Sequence, residues 1–432
     1  MKRLLGMLLG TGPGAARAHA AQPASGAPSA LRVTPGPPVA EKDLPRAAIV
    51  ILNLNGKHHL EGCFGSLAAL DYPKDRLEVV LVDNASVDGS VEEMRAKHGS
   101  VKLLVNERNV GFSAGCNQGA SAAARPEVLV FLNNDMRVEP AWLKELVAPI
   151  VRGECSATTA KMYSWDGKLI NSAGGGMNFH GIGIQRGLDE VPGPEHDVPV
   201  KTLFACGGAM AMEARAFEAV GRFDEEFFAY YEDVDLGWRS WVMGHECRYV
   251  PTSVCYHHHS STSKRLPPEM IRLLQTRNPV LACFKNYDDA NLRAVLAPLL
   301  ALHARRMWCV SGLVDDRPFR IEQAANPALG GVKRLFDLAR TNVQDEASVK
   351  RTAAADLIGI NDLLGRFDHW SARRAAVQAR RRRQDAEIFG LFLKPHWCIE
   401  GERGYQELQR GMERLFGLDR LFPADHLGEP KK

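Results

Sequence analysis

The sequence predicts an α/β protein built on a mostly parallel sheet with flanking helices, followed by a C-terminal helical region. Three observations predict it. Short apolar runs alternate with helically spaced segments between residues 47 and 132. The runs deliver polar residues at their ends, as strands do at the carboxyl edge of an open parallel sheet. From about Glu269 onward only helical spacing remains. In order, residues 47–54 form a strand, 60–70 a helix, 77–82 a strand, 91–97 a helix, 101–105 a strand, 112–124 a helix and 128–132 a fourth strand. Beyond Trp142 the alternation weakens; Gly174, Gly175, Gly176, Gly181, Gly183 and Gly187, with residues 189–199, read as loops or irregular strands.

A chain of 432 residues exceeds a single ordinary core, and the expected division is a disordered tail over 1–45, an α/β domain over 46–265 and a helical region over 266–432. The tail is rich in Ala, Gly and Pro and has no acid before Glu41. Its start imitates a signal peptide, but Gly6 and Gly10 interrupt a short apolar core. A formal net charge of +3 is too small to imply nucleic acid, which is not expected as a partner, and nine scattered cysteines without a C-x-x-C pair read as reduced thiols of a cytoplasmic protein. No apolar stretch approaches the ~20 residues of a membrane span. The stretch 294–304, bracketed by Arg293, Arg305 and Arg306, is open to two readings: a core helix with solvated ends, or a peripheral contact at the inner face of the membrane. The run from Arg380 to Arg383 reads as a solvated helix face.

Chemistry concentrates at the predicted strand ends. Asn53 and Asn55 close the first strand and suit either turn chemistry or a ligand; the G-x-G-x-x-G of a nicotinamide enzyme is missing there. Asp83 ends the second strand, where a carboxylate can accept hydrogen bonds from a base or ribose, whereas Asp88 beside Gly89 reads as turn chemistry. Asn109, Gly111 and Asn117 lie around a helix start that admits a diphosphate, and tight helix packing explains the glycines equally well. Asn133, Asn134 and Asp135 follow the fourth strand, and Asp135 is the expected Mg²⁺ or Mn²⁺ ligand. The acids Glu232, Asp233 and Asp235 open a helix, and upstream aromatics desolvate them; Asp233 is the expected general base, with Glu232 second and Asp235 paired to Arg239. His257 is a candidate metal or phosphate ligand, with Ser261, Ser263, Lys264 and Arg265 available to a departing diphosphate; His258 and His259 read as a surface loop.

The ordered motifs NLNG, VDNASVDGS, NVGFSAGCNQG, LNND, CGGAM, GRFDEEFFAYYEDVDLGWRSW and YHHHSSTSKR resemble those of the family 2 glycosyltransferases, particularly the rhamnosyltransferase-like branch. The likeness covers residues 47–265, and Arg277-Asn278 with Lys285-Asn286-Tyr287 resembles the helix that follows in that branch. The resemblance implies a GT-A fold and inverting transfer of a sugar, rhamnose or a relative, from a nucleotide-sugar donor to a saccharide or lipid-linked acceptor in cell-surface polysaccharide synthesis. Carried over position by position, Asp83 contacts the base, Asp135 takes the last place of a D-x-D metal motif, Asp233 is the base and His257 assists the metal. Gly207 and Gly208 would let acceptor or sugar approach closely. Asn133 departs from the pattern by replacing the first acid of D-x-D. A different class, a nucleotide-sugar-binding module without catalysis, is the competing expectation.

Overall fold

The computed structural model describes residues 31–258, 267–311, 351–399 and 401–422. Four strands, β1 (Ala47–Asn53), β2 (Leu77–Asp83), β3 (Lys102–Val105) and β4 (Val128–Asn133), run parallel in the order β4-β1-β2-β3. The five residues from Ala47 to Ile51 are all buried, because helices cover both sheet faces and no position is left for a polar side chain. The covering helices include α1 (Lys57–Ala68), α2 (Ser90–Lys97), α3 (Phe112–Ala122) and α4 (Trp142–Val151). The predicted elements are therefore present, with ends displaced by a few residues.

Beyond β4 the chain makes a tight turn at Asn134 and Asp135 into β5 (Met136–Val138). The sheet continues through β6 (Ala157–Ser164), and the Gly-rich segment supplies the three-residue strands β7 (Ile170–Ser172), β8 (Gly175–Met177) and β9 (Gly183–Gln185), followed by the two-residue β10 (Val200–Lys201). Next, β11 (Ala209–Glu213) lies antiparallel between β4 and β6, and the long β12 (Cys247–His257) pairs parallel with β6 and antiparallel with β5. Because β11 runs against β4, its first residues stand at the edge where β4 ends. Between β11 and β12 lie α5 (Ala214–Val220) and α6 (Glu232–Val242).

The C-terminal region is helical as expected: α7 (Pro268–Asn286), α8 (Asp289–Ser311), α9 (Arg351–Gly365), α10 (Phe367–Gln378), α11 (Arg403–Phe416) and α12 (Leu418–Leu421). It shares a core with the sheet domain, since Trp238 of α6 meets the rings of Tyr287 (4.7 Å, 88°) and Phe392 (5.5 Å, 90°) edge-on. Residues 294–304 lie within α8, with Val295, Leu299, Leu302 and His303 buried, so this stretch is a core helix. Among the described residues no helix is long and apolar enough to cross a membrane.

Two expectations are corrected. The tail was expected to be disordered over 1–45, but residues 31–45 pack on the domain: Leu44 is buried, Arg76 donates to the Leu44 carbonyl at 2.6 Å, and the Val33 amide donates to Pro199 at 3.0 Å. Composition misleads here because the segment covers a surface that already exists and needs no core of its own. Residues 1–30 lie outside the described part. The arginine run is not a solvated helix face: it follows α10, and the Arg382 and Arg383 amides donate to Val242 at 2.8 and 3.2 Å. Arg381 pairs with Asp385 at 2.8 Å, and Arg383 lies over the Trp241 ring at 4.8 Å. The run therefore clamps the end of α6.

Candidate active site

The carboxyl edge of β1, β2 and β4 gathers the predicted donor residues into one polar network. Asn134 donates to Asn53 Oδ1 at 2.6 Å, and Asn53 in turn donates to Asp83 Oδ2 at 2.8 Å. The other Asp83 oxygen accepts from the Ser86 amide at 2.8 Å. Asn55, with φ of 49°, accepts from the Val87 amide at 2.7 Å, which is turn chemistry. Asp88 accepts from the Lys57 amide at 2.9 Å and the Ser90 amide at 3.0 Å, joining the starts of α1 and α2. This network fixes the shape of the edge; buried Asp83 is held by its neighbours.

Around α3 the structure shows the packing that was one of the two readings of this segment. The Phe112 and Ser113 amides donate to the Phe228 carbonyl at 2.6 and 3.2 Å, so the chain itself caps these two amides of the helix start. Gly111 is required there: its φ is 88°, and a Cβ would stand 2.6 Å from the Phe228 ring and carbonyl. Asn109 accepts from the Gly111 amide at 2.9 Å and from Asn84 at 3.1 Å. Asn117 donates to the Phe223 carbonyl and to Glu225, both at 3.0 Å, and thus ties α3 to the segment before α6. It also borders a cavity of about 390 Å³ that includes Asp224, Arg239, Lys285 and Arg373. There Lys285 and Arg373 pair with Asp224 at 2.6 and 2.8 Å, and Arg239 pairs with Asp235 at 2.7 Å. That space is a seam between the α/β and helical parts, apart from the strand ends.

Asp135 and His257 meet because β5 brings Met136 opposite His257 in the β12 register. His257 Nε2 lies 3.3 Å from Asp135 Oδ1, and Nδ1 lies 2.9 Å from Asn171 Oδ1. An amide oxygen only accepts, so Nδ1 donates to Asn171, and this bond orients the ring with Nε2 toward the carboxylate. A ring nitrogen and a carboxylate oxygen side by side are ligand types that suit a divalent cation, with phosphate oxygens and water completing its shell. Burial by the sheet, with Asp135 nearby, pushes the Cys63 thiol up to about 12. His258 stacks on Trp165 at 3.7 Å, while His259, Ser261, Ser263, Lys264 and Arg265 lie outside the described residues. A second group of ligand-type atoms, from Glu190, Glu195 and His196, lies within 4.8 Å. His196 Nδ1 accepts from the Gly193 amide at 3.1 Å, and its Nε2 lies 3.3 Å from Glu190 Oε2.

Asp233 stands on the other side of β4's end. Its Oδ2 accepts from the Gly207 amide at 2.9 Å and its Oδ1 from the Val234 amide at 2.8 Å. Gly208, the next residue, accepts from the Asn133 amide at 2.9 Å, and a Cβ on it would lie 3.3 Å from the Asn133 side chain. The Gly207-Gly208 pair therefore lies between the base candidate and the Asn133–Asp135 turn. Burial raises the Asp233 pKa, while the two amides oppose that shift. Glu232 is buried, and its Oε2 has no hydrogen-bond partner; burial and then the Asp233 charge hold its pKa well above the glutamate range. In this pair Glu232 keeps the proton and Asp233 is the carboxylate. Asp235 binds Arg239, Lys285 and Asn286, and is structural.

Sequence reasoning missed Asn171 and Phe228. Asn171 lies in a stretch without periodicity, and Phe228 acts through its carbonyl, which any residue has.

The sheet, its reversed strand and its paired strand ends define a GT-A-type fold. Residues 48–221 match the profile of glycosyl transferase family 2, a segment that ends before α6. The chain is 27% identical over 248 residues to an N-acetylglucosaminyl-diphospho-decaprenol L-rhamnosyltransferase of Mycobacterium tuberculosis, covering 51% of this chain and 78% of that one. It is 30% identical over 238 residues to polypeptide N-acetylgalactosaminyltransferase 11 of Xenopus tropicalis, covering 49% and 38%. An uncharacterized protein of Sinorhizobium fredii is 27% identical over 255 residues, covering 54% of this chain. The chain spans 27% and 38% of the lengths of the Sinorhizobium and Xenopus relatives. The solved structure of GalNAc-T7 with UDP, GalNAc and Mn²⁺ superposes with a TM-score of 0.50 at 20% identity, covering 62% of this chain and 52% of that one.

Proposed function

We propose that the chain is an inverting, metal-assisted glycosyltransferase that moves a sugar from a nucleotide-sugar donor to a saccharide or lipid-linked acceptor in cell-surface polysaccharide synthesis. Rhamnose is the sugar we favour, supported by the mycobacterial relative. One observation carries the reading: the Asp233 carboxylate and the turn bearing Asp135 both abut the Gly207-Gly208 pair. Asp233 accepts the proton of an acceptor hydroxyl as that oxygen attacks the anomeric carbon opposite the nucleotide, and the single displacement inverts the centre. The Gly207 and Val234 amides keep Asp233 ionised and aimed. Gly207 and Gly208, lacking side chains, leave room for acceptor or sugar. Asp135 and His257 would hold Mg²⁺ or Mn²⁺, which when bound neutralises charge developing on the departing diphosphate. With Asn133 in place of an acid, metal affinity should be weak until a donor diphosphate is present.

The test is a panel of UDP-, GDP- and dTDP-linked sugars assayed with Mn²⁺ for transfer and for slow donor hydrolysis. Asp233→Asn is expected to bind donor within about twofold of wild type and to lose roughly 10²- to 10⁴-fold in turnover. Full activity in that variant would remove the base; donor binding with no turnover by the wild-type chain would instead favour the binding module.

A further inference from the structure

The segment before α6 is held in a backbone conformation that its residues disfavour. Phe228, Tyr230 and Tyr231 have φ values of 62°, 66° and 66°. None is glycine, and bulky side chains are disfavoured at positive φ because Cβ crowds the backbone. Such strain persists only where surrounding contacts over-determine it. The Phe228 carbonyl is fixed by the start of α3, and the Tyr231 carbonyl accepts from the Asp235 amide at 2.9 Å. The other three carbonyls converge on one side chain: Asn278 Nδ2 donates to Phe227 at 3.0 Å, to Ala229 at 3.0 Å and to Tyr230 at 2.7 Å. Asn278 is buried in α7, and its Oδ1 accepts from Arg277 Nε at 3.0 Å, which fixes the amide's orientation. Arg277 also donates to the Glu226 carbonyl, extending the grip by one residue. The two amide hydrogens serve three carbonyls, so one hydrogen is shared between two of them.

We infer that Asn278 is a positioning residue for the transfer reaction: by gathering the carbonyls of Phe227, Ala229 and Tyr230 it maintains the strained loop that aims Asp233 at Gly207. The α/β part alone would then present a misplaced base, and the helical region would contribute to catalysis without touching substrate. This rests on reading Asp233 as the base, but its structural half is measurable without any substrate.

The experiment uses the full chain and has two arms. In the first, hydrogen exchange of wild type and Asn278→Ala is compared peptide by peptide. Amides of residues 227–233 are expected to exchange at least about tenfold faster in the variant, with β1 and β4 unchanged. In the second, turnover of the panel nucleotide sugar that gives activity is followed. The kcat is expected to fall by roughly thirtyfold or more while KM for the donor stays within about twofold. Asn278→Gln, which retains the donors on a longer stem, is expected to recover part of the loss. Unchanged exchange at 227–233, or a loss confined to KM, overturns the inference. So does the same fold-loss on adding Asn278→Ala to Asp233→Asn, because a residue acting through Asp233 cannot matter once that base is gone. If Asn278→Ala does not fold, Asn278→Ser supports the same comparisons. Faster exchange together with full activity in Asp233→Asn would separate the two ideas, leaving the loop restraint intact and removing the base.

Discussion

Glu232 and Asp233 are neighbours with opposite surroundings. Asp233 meets two amides, while Glu232 has a buried oxygen with no partner. The sequence made both acids visible and ranked Asp233 first on the aromatics upstream, but a helix start full of acids does not reveal which acid meets backbone amides and which is left unpaired. A raised Glu232 pKa has a definite sign in stability. Between the ordinary glutamate value, near 4.5, and the higher folded value, the native state binds more protons than the unfolded chain, so stability falls as pH rises through that window. Glu232→Gln removes this loss. The variant is expected to melt above wild type by about 2 °C at pH 7, a gap that closes near pH 4 in a thermal-shift series. The raised pKa of Asp233 acts on rate: the base must be ionised, so kcat/KM is expected to fall with acidification at a pH above the usual aspartate range near 3.8. A flat profile down to pH 4 would contradict the assignment.

At the level of elements, strands and helices up to β4 were legible because a strand buried on both faces writes a continuous apolar run and leaves little ambiguity. The start of α3 was not. Glycines, amides and a helix N-terminus suit a phosphate, but they equally suit a neighbouring backbone, and here the Phe228 carbonyl occupies the place. Asn109 and Asn117 were open to two readings for the same reason: a side-chain amide is identical whether its partner is a ligand or a loop, and here both bond within the chain. This gives Gly111 a structural duty. Gly111→Ala must adopt φ near 88° and push against Phe228, and is expected to lower stability by about 3 kcal/mol, read as a reduced denaturant midpoint with an unchanged slope. A variant as stable as wild type would show that the contact between α3 and the loop is dispensable. The approach of Asp135 to His257 was likewise illegible from spacing, since it depends on a three-residue strand, β5, reaching β12.

For the whole molecule, the change from alternating to helical spacing near residue 265 marks a change of architecture but not a boundary in the core. Trp238, Tyr287 and Phe392 form one packed group across it, and Asn278 crosses it to reach the base loop. Periodicity reports which secondary structure a segment adopts and is silent on which surfaces that segment will cover. The N-terminal segment over 31–45 illustrates the same limit in the other direction. Two dispersed acids, each on a different side of the Gly207-Gly208 pair, are what this assembly brings together. The most direct measurement is a crystal structure with Mn²⁺ and a nucleotide sugar, the metal located by its anomalous scattering. The account predicts Mn²⁺ bound by Asp135 and His257, with the donor's anomeric carbon facing the Asp233 carboxylate across the glycine pair. Manganese held elsewhere, or an anomeric carbon turned away from Asp233, would contradict it.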